Sequence, residues 1–363
     1  MAHISLAEYI WLDGAVPTRN LRSKTKVVGL DPASVSLEDF PVWSFDGSST
    51  YQSVGTASDL FLHPACFVKD PIRGEGNFLV LCEVMNQDGT PHKSNTRAPF
   101  RKILEAGGSE LEAWCGFEQE YTLFQNNRPM GFPEKGYPAP QGPYYCGVST
   151  EDIYGRPLVE KHMRACLDAG ICFYGINAEV MPGQWEFQVG YRGIKDEDVS
   201  AITMADHLWL ARYLLLLLGE EFGIQPSFEN KPVKGDWNGA GLHTNFSTKH
   251  MREEGGIKAI EEAIERLSTK HDDHINVYGH ALSERLTGEH ETSHITEFKA
   301  GATDRGCSTR IPIHVAQQGK GYLEDRRPGA NADPYQVAAR LVSTVCEIEH
   351  IDLDWSLDAI MNA

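Results

Sequence analysis

The 363-residue sequence predicts an α+β protein in two parts, and two observations predict it. Up to about Asn95 the chain reads as strands and turns. Beyond about Gly108 strands and helices alternate, so a boundary is expected between these points. The strand signals are short apolar or alternating runs closed by Asp-Gly turns, and the helix signals are longer runs stopped by glycine.

The elements follow in order. "AEYIWLDG" reads as a strand ending in an Asp-Gly turn, and "NFLVLCEVMNQDG" ends the same way. "RAPFRKILEAGG" reads as a helix stopped by Gly107 and Gly108. "WCGFEQEYTLF", from Trp114 to Phe124, is a strand, followed by the long loop "GFPEKGYPAPQGPYYCGV". A helix is expected at about Gly155–Ala169, then a hairpin in "GINAEVMPGQWEFQVG" turning at Pro182–Gly183. "YRGIKDEDVSAITMADH" begins as a charged, solvated loop. A leucine-rich buried helix is expected from roughly Asp206 to Phe222. Its run "YLLLLL" is far shorter than the ~20 residues that span a bilayer. "GDWNGAGLHTNFST", a helix at about Gly256–Lys270 and the tract from Arg285 to Pro328 complete the order. There is no internal repeat.

Composition narrows the function. The formal net charge is −18, with no basic run, which argues against a nucleic-acid or anionic-membrane partner. The eight cysteines form no CxxC pair, so zinc-ribbon and thioredoxin signatures are missing and reduced thiols are the economical reading. The start "MAHISLAEYIW" lacks a basic region followed by an apolar core. A cytoplasmic, soluble protein is expected.

The chemistry begins at Glu118 and Glu120. Residues two apart on a strand share a face, so two carboxylates stand side by side on an apolar segment. Two readings satisfy this spacing. One is a sheet face in water. The other is a divalent cation, because buried paired carboxylates raise each other's pKa, and oxygen ligands suit magnesium or manganese. Glu179 and Glu186 flank the predicted hairpin turn, with Gln184 and Gln188 on the face of Glu186. His243 follows Gly239 and Gly241, which would let backbone approach a ligand. A lone histidine is more often structural. Arg285, Arg305, Arg310, Arg326 and Arg327 gather in one tract with Glu291 and Glu324. Arginine forks beside metal-type acids suggest phosphoryl chemistry. No Walker or GxGxxG fingerprint is present.

The stretches "WSFDGSSTYQ", "GFEQEYTLF", "GYPAPQGPYYCGV", "GINAEVMPGQWEFQVG", "GDWNGAGLHTNFSTK", "RLTGEHET" and "GKGYLEDRRP" resemble, in order, those of the glutamine synthetase family in its shorter type II form. "DPIRG" and "ATDRG" are similar to the bacterial type II members. The resemblance implies ATP-dependent joining of ammonium to glutamate through γ-glutamyl phosphate. It implies a small N-terminal β-grasp domain, residues 1–98, and a C-terminal catalytic domain of curved antiparallel sheet flanked by helices, residues 99–363. It assigns Glu120, Glu179 and Glu186 to one metal, and Glu118, His243 and Glu324 to another, with two or three magnesium or manganese ions per site. Arg285, Arg326 and the Asn238–Gly239 backbone would hold glutamate. Arg305 and Arg310 would face the transferred phosphate. Trp114, Asn245, Ser247 and Tyr322 would line the nucleotide site. Asp46, Ser49 and Tyr145 would bind ammonium, with Asp46 helping to take its proton. Glu291 would lie on a shielding flap. Two stacked pentameric rings are implied, with active sites between subunits.

Leu242, Lys299, Ile313 and the longer loop near 191–204 depart from the family pattern. The alternatives are a ligase for an organic amine and a non-catalytic homologue. The ammonium residues argue against the first, and the intact set of metal ligands argues against the second.

Overall fold

The structure is a computed structural model, and it describes residues 3–348. The last part of the expected catalytic domain, 349–363, lies outside the described residues. The N-terminal part holds β1 (His3–Leu12), β2 (Leu21–Leu30), β3 (Trp43–Asp46), β4 (Asp59–Lys69) and β5 (Phe78–Met85) in one sheet of order β2-β1-β5-β4-β3. Only β1 and β5 pair in parallel; the other neighbours run antiparallel. Alternation along β1 serves two cores. Tyr9 and Trp11 pack with Phe45, Leu62 and Val80 in a small core. Ile10 and Leu12, with Leu79 and Leu81 of β5, join the core of the larger part. The two parts therefore share buried apolar surface.

The larger part runs α1 (Arg97–Ile103), β6 (Trp114–Gln125), β7 (Arg128–Pro129), α2 (Arg156–Ala169), β8 (Phe173–Ala178), β9 (Gln184–Val189), α3 (Ala201–Phe222) and β10 (Gln225–Ser227). It continues through β11 (Leu242–Ser247), α4 (Lys249–Arg252), α5 (Ile257–Thr269), α6 (His271–Ile275), β12 (Ala300–Ala302), β13 (Thr309–Ile311), α7 (Ile313–Gln318), β14 (Leu323–Asp325) and α8 (Pro334–Val345). The sheet order is β12-β13-β14-β11-β6-β9-β8, with β7 and β10 also on β6. It is antiparallel as expected except at β12–β13, which pair in parallel.

The leucine-rich helix differs from its expected start. α3 begins at Ala201, five residues before Asp206, so only the first part of 191–204 is loop. Asp198 accepts from the Ser200 amide at 2.9 Å and the Thr203 hydroxyl at 2.6 Å, which closes the opening turn. The helix is apolar on nearly every side because it is a core helix: 72% of its most apolar stretch is buried. It lies behind β6. There Arg212 donates to Gln119 Oε1 at 2.8 Å and to the carbonyls of Ala330 and Ala332 at 3.0 Å each.

Candidate active site

Gln119 turns to Arg212, so its neighbours Glu118 and Glu120 turn to the opposite face. Strand register then collects partners for them. His243 on β11 stands opposite Glu118, and Glu186 on β9 stands opposite Glu120. The β8–β9 hairpin turns at Pro182–Gly183 as expected, closed by Glu179 N–H donating to the Gln184 carbonyl at 2.9 Å. Asn177 Nδ2 orients the Glu179 carboxylate at 3.0 Å. All five side chains line one cavity of about 500 Å³, together with Tyr145, Asn238, Gly239, Arg285, Glu291, Arg305, Arg310 and Arg326.

The acids are not a wet face. Glu120, Glu179 and Glu186 are all buried. Burial, opposed by Arg285, raises the Glu120 pKa. Burial and then Glu120 push Glu179 up to about 8. Burial, with Glu118 and Glu120 next, pushes Glu186 well above the usual carboxylate range. His243 moves the opposite way, lowered by burial and by Arg326 and Arg285. Arg285 Nη2 donates to His243 Nε2 at 3.0 Å, and His243 Nδ1 faces Glu118 at 3.5 Å.

This donor set fits divalent cations. Ligand atoms of Glu120, Glu179 and Glu186 lie within 4.8 Å of one another, as do those of Glu118, Glu186 and His243. The first group is the expected one. In the second, Glu186 stands where Glu324 was expected. Glu324 is drawn to two arginines instead, accepting from Arg310 at 2.7 Å and Arg326 at 2.5 Å. It remains 3.9 Å from His243 Nδ1. Its place on β14, opposite Arg310 of β13 and Asn245 of β11, explains the pull.

The arginines are fixed by backbone. Arg285 donates to the Arg326 carbonyl at 3.0 Å, and Arg326 Nε donates to the Arg305 carbonyl at 3.0 Å. Glycine permits this packing. A Cβ on Gly239 would lie 2.8 Å from Arg285 Cγ, and one on Gly241 2.4 Å from Arg285 Nη2. Gln184 Nε2 holds the Gly239 carbonyl at 2.8 Å, and Gln141 Oε1 accepts from Asn238 N–H at 2.6 Å.

A second cavity of about 360 Å³ adjoins the first and contains Trp114, Asn245, Ser247 and Tyr322. Asn245 links the two by donating to Glu118 Oε1 at 2.8 Å. Arg252 lies over the Trp114 ring at 3.9 Å, and the Tyr191 ring packs 5.2 Å from it. Sequence reasoning passed over Arg252, Tyr191, Gln141 and Asn177. Asn177 had a signal, since it alternates with Glu179 on the hairpin; the others meet the site only through the fold.

Asp46 and Ser49 stand apart. They sit at the end of β3 and in the next turn, and neither lines either cavity. Ser49 donates to Asp46 at 2.7 Å and Ser48 at 2.6 Å, and these bonds, that from Ser48 foremost, lower the Asp46 pKa. Leu242 is fully buried behind the site, Ile313 is exposed at the start of α7, and Lys299 pairs with Glu297 at 2.6 Å.

Two family models match: the glutamine synthetase β-grasp domain over residues 3–87 and the glutamine synthetase catalytic domain over residues 95–349. A glutamine synthetase of Tuber borchii is 54% identical over 342 residues, covering 94% of this chain and 92% of that protein. One from Agaricus bisporus is 53% identical, covering 93% of this chain and 92% of its own length. One from Streptomyces viridochromogenes is 54% identical, covering 94% and 96%. The fold is that of a Plasmodium falciparum glutamine synthetase solved by electron cryomicroscopy. That likeness has TM-score 0.73 at 17% identity, over 94% of this chain and 71% of that one. A chain that matches both domain models, and relatives more than half identical along nearly its whole length, belongs to the glutamine synthetase family.

Proposed function

We propose that this chain makes glutamine from glutamate, ammonium and ATP through γ-glutamyl phosphate. The observation that carries the reading is the single cavity in which buried acids meet arginines, joined through Asn245 to a second, aromatic-lined cavity. ATP would place its base by Trp114, Tyr322 and Ser247 and its phosphates toward Glu118. Arg285 and the Asn238–Gly239 backbone would hold glutamate. A γ-carboxylate oxygen then attacks the terminal phosphorus, and ADP leaves. Arg305, Arg310 and Arg326 would face the transferred group, where preorganised charge is worth about 3 kcal/mol per group. Glu120, Glu179 and Glu186, with Glu118, His243 and Glu324, would hold two or three magnesium or manganese ions, whose chemistry is to neutralise phosphate charge.

Ammonium would be bound by Asp46, Ser49 and Tyr145 and lose a proton to Asp46. Ammonia then attacks the acyl carbon, phosphate leaves, and Glu291 takes the excess proton of the adduct. Asp46 and Ser49 lie off the cavity of their own chain, which supports a site completed by a neighbouring subunit. Two stacked pentameric rings are the proposed assembly, in the cytoplasm, with the chain divided near residue 98. A steady-state assay with glutamate, ATP and ammonium tests the reaction. Strong turnover with an organic amine and little with ammonium would overturn it, as would no phosphate release with either metal.

A further inference from the structure

Residues 287–294 form a flap beside the cavity. Thr287 bridges to His294, and Thr292 N–H donates to the Glu289 carbonyl at 3.1 Å. At the tip His290 and Glu291 both have positive φ, 51° and 58°. Side-chain-bearing residues hold that conformation in succession only when their surroundings enforce it.

The surroundings are specific. Gln141 Nε2 lies 3.0 Å from His290 Nδ1. An amide nitrogen only donates, so Nδ1 accepts and the ring proton sits on Nε2. That nitrogen lies 3.0 Å from Asp236 Oδ1, which accepts from it. The other end of Gln141 accepts from Asn238 N–H at 2.6 Å. One line of hydrogen bonds thus ties the flap to the loop that carries Gln141 and to the 236–239 loop. Glu291, next to His290, lines the cavity.

We propose that Gln141 and His290 are positioning residues that latch the flap closed, so that the acyl phosphate meets ammonia and not water. This rests on the reaction proposed above. With ammonia the carbon–nitrogen bond forms, the carbon–oxygen bond to phosphate breaks, and glutamine and phosphate result. With water the same carbon takes an oxygen, and glutamate and phosphate return for one ATP converted to ADP.

The test uses the full-length enzyme and the variants Gln141→Leu, His290→Ala, His290→Asn and Asp236→Ala. Two quantities are read: phosphate released per glutamine formed, and label from ¹⁸O water in the γ-carboxylate of recovered glutamate. Wild type should release one phosphate per glutamine. Gln141→Leu and His290→Ala should raise that ratio roughly threefold or more and incorporate label, because an opened site admits water. KM for ATP should stay near wild type. His290→Asn, whose Oδ1 can accept from Gln141, should bring the ratio back toward one. The Asp236 side chain is 95% exposed, so Asp236→Ala tests the latch without threatening the fold, and it should raise the ratio by a smaller factor. Slower variants that keep a ratio of one, or an unchanged ratio in Asp236→Ala when the other variants fail to fold, would overturn the latch. A wild type that forms no glutamine would instead overturn the reaction beneath it.

Discussion

Glu120 on β6 stands directly across from Glu186 on β9, and both carboxylates are buried. Cross-strand partners sit about 5 Å apart at Cβ, where like charges destabilise a sheet. A chain that keeps this pair in register holds a place for positive charge.

Removing that place should be costly to activity. Glu120 is also fastened by Gly241 N–H at 2.5 Å, so Glu120→Ala frees a backbone donor as well as a carboxylate. Glutamine formation should fall by at least two to three orders of magnitude, corresponding to roughly 3 kcal/mol or more of lost charge stabilisation. Manganese binding, followed by electron paramagnetic resonance, should weaken in parallel. A folded Glu120→Ala protein with near-normal turnover would remove the cation assignment.

Cation binding should also displace protons. Burial and Glu120 hold Glu179 up to about 8, and burial with Glu118 and Glu120 raises Glu186 well above the usual carboxylate range. A carboxylate with a raised pKa is protonated below that value, whereas a bound cation requires the charged form. Affinity for magnesium should therefore rise as pH rises through neutrality toward about 8. Calorimetry at neutral pH in buffers of differing ionisation enthalpy should detect proton release. Binding heats independent of buffer would contradict the raised values.

The separation of Asp46 from the cavity can be probed by subunit mixing. Asp46→Ala and Arg326→Ala assemblies should each be nearly inactive. Dissociated and assembled together, they should regain part of the activity, because some interfaces would combine two intact halves. A site confined to one chain could not recover, since every chain would carry a defect. Mixing without subunit exchange is the control. Verified mixed assemblies that stay inactive would exclude a cross-subunit role for Asp46.

Behind the strand, the expected effect is on stability. Gln119 accepts from Arg212, whose guanidinium is deeply buried. Gln119→Ala leaves buried donors without their acceptor, a loss of about 1–3 kcal/mol. Differential scanning calorimetry should show a lower Tm for Gln119→Ala. The double variant Gln119→Leu with Arg212→Met should recover part of it, because paired apolar replacement removes the orphaned charge. An unchanged Tm in the single variant would show that Arg212 finds another partner.

The legible parts of this protein were local. The face shared by Glu118 and Glu120 follows from strand period, and the approach of Glu179 to Glu186 follows from one tight turn. The roles of individual arginines came from family likeness, because charge alone does not say which one meets a phosphate. What stayed hidden depends on distant neighbours. Arg252 meets Trp114 across 138 positions of sequence, and Gln141 meets Asn238 across 97. Glu324 turns to Arg310 because β13 and β14 are adjacent, which no spacing within "YLEDRRP" announces. The early start of α3 was masked by a charged run in which Asp198 and Thr203 close the first turn.

Trp114, Gly116, Glu118 and Glu120 occupy alternate positions of β6, so they share one face. Trp114 belongs to one cavity and the two carboxylates to the other. A strand advances about 3.3 Å per residue, which places Trp114 some 13 Å from Glu118 along it. Under the proposed function, the strand would be a ruler that sets how far the base of ATP stands from its phosphates. One inserted residue between those marks would lengthen the interval and also turn both carboxylates toward Arg212. The length of this stretch is therefore as constrained as its chemistry.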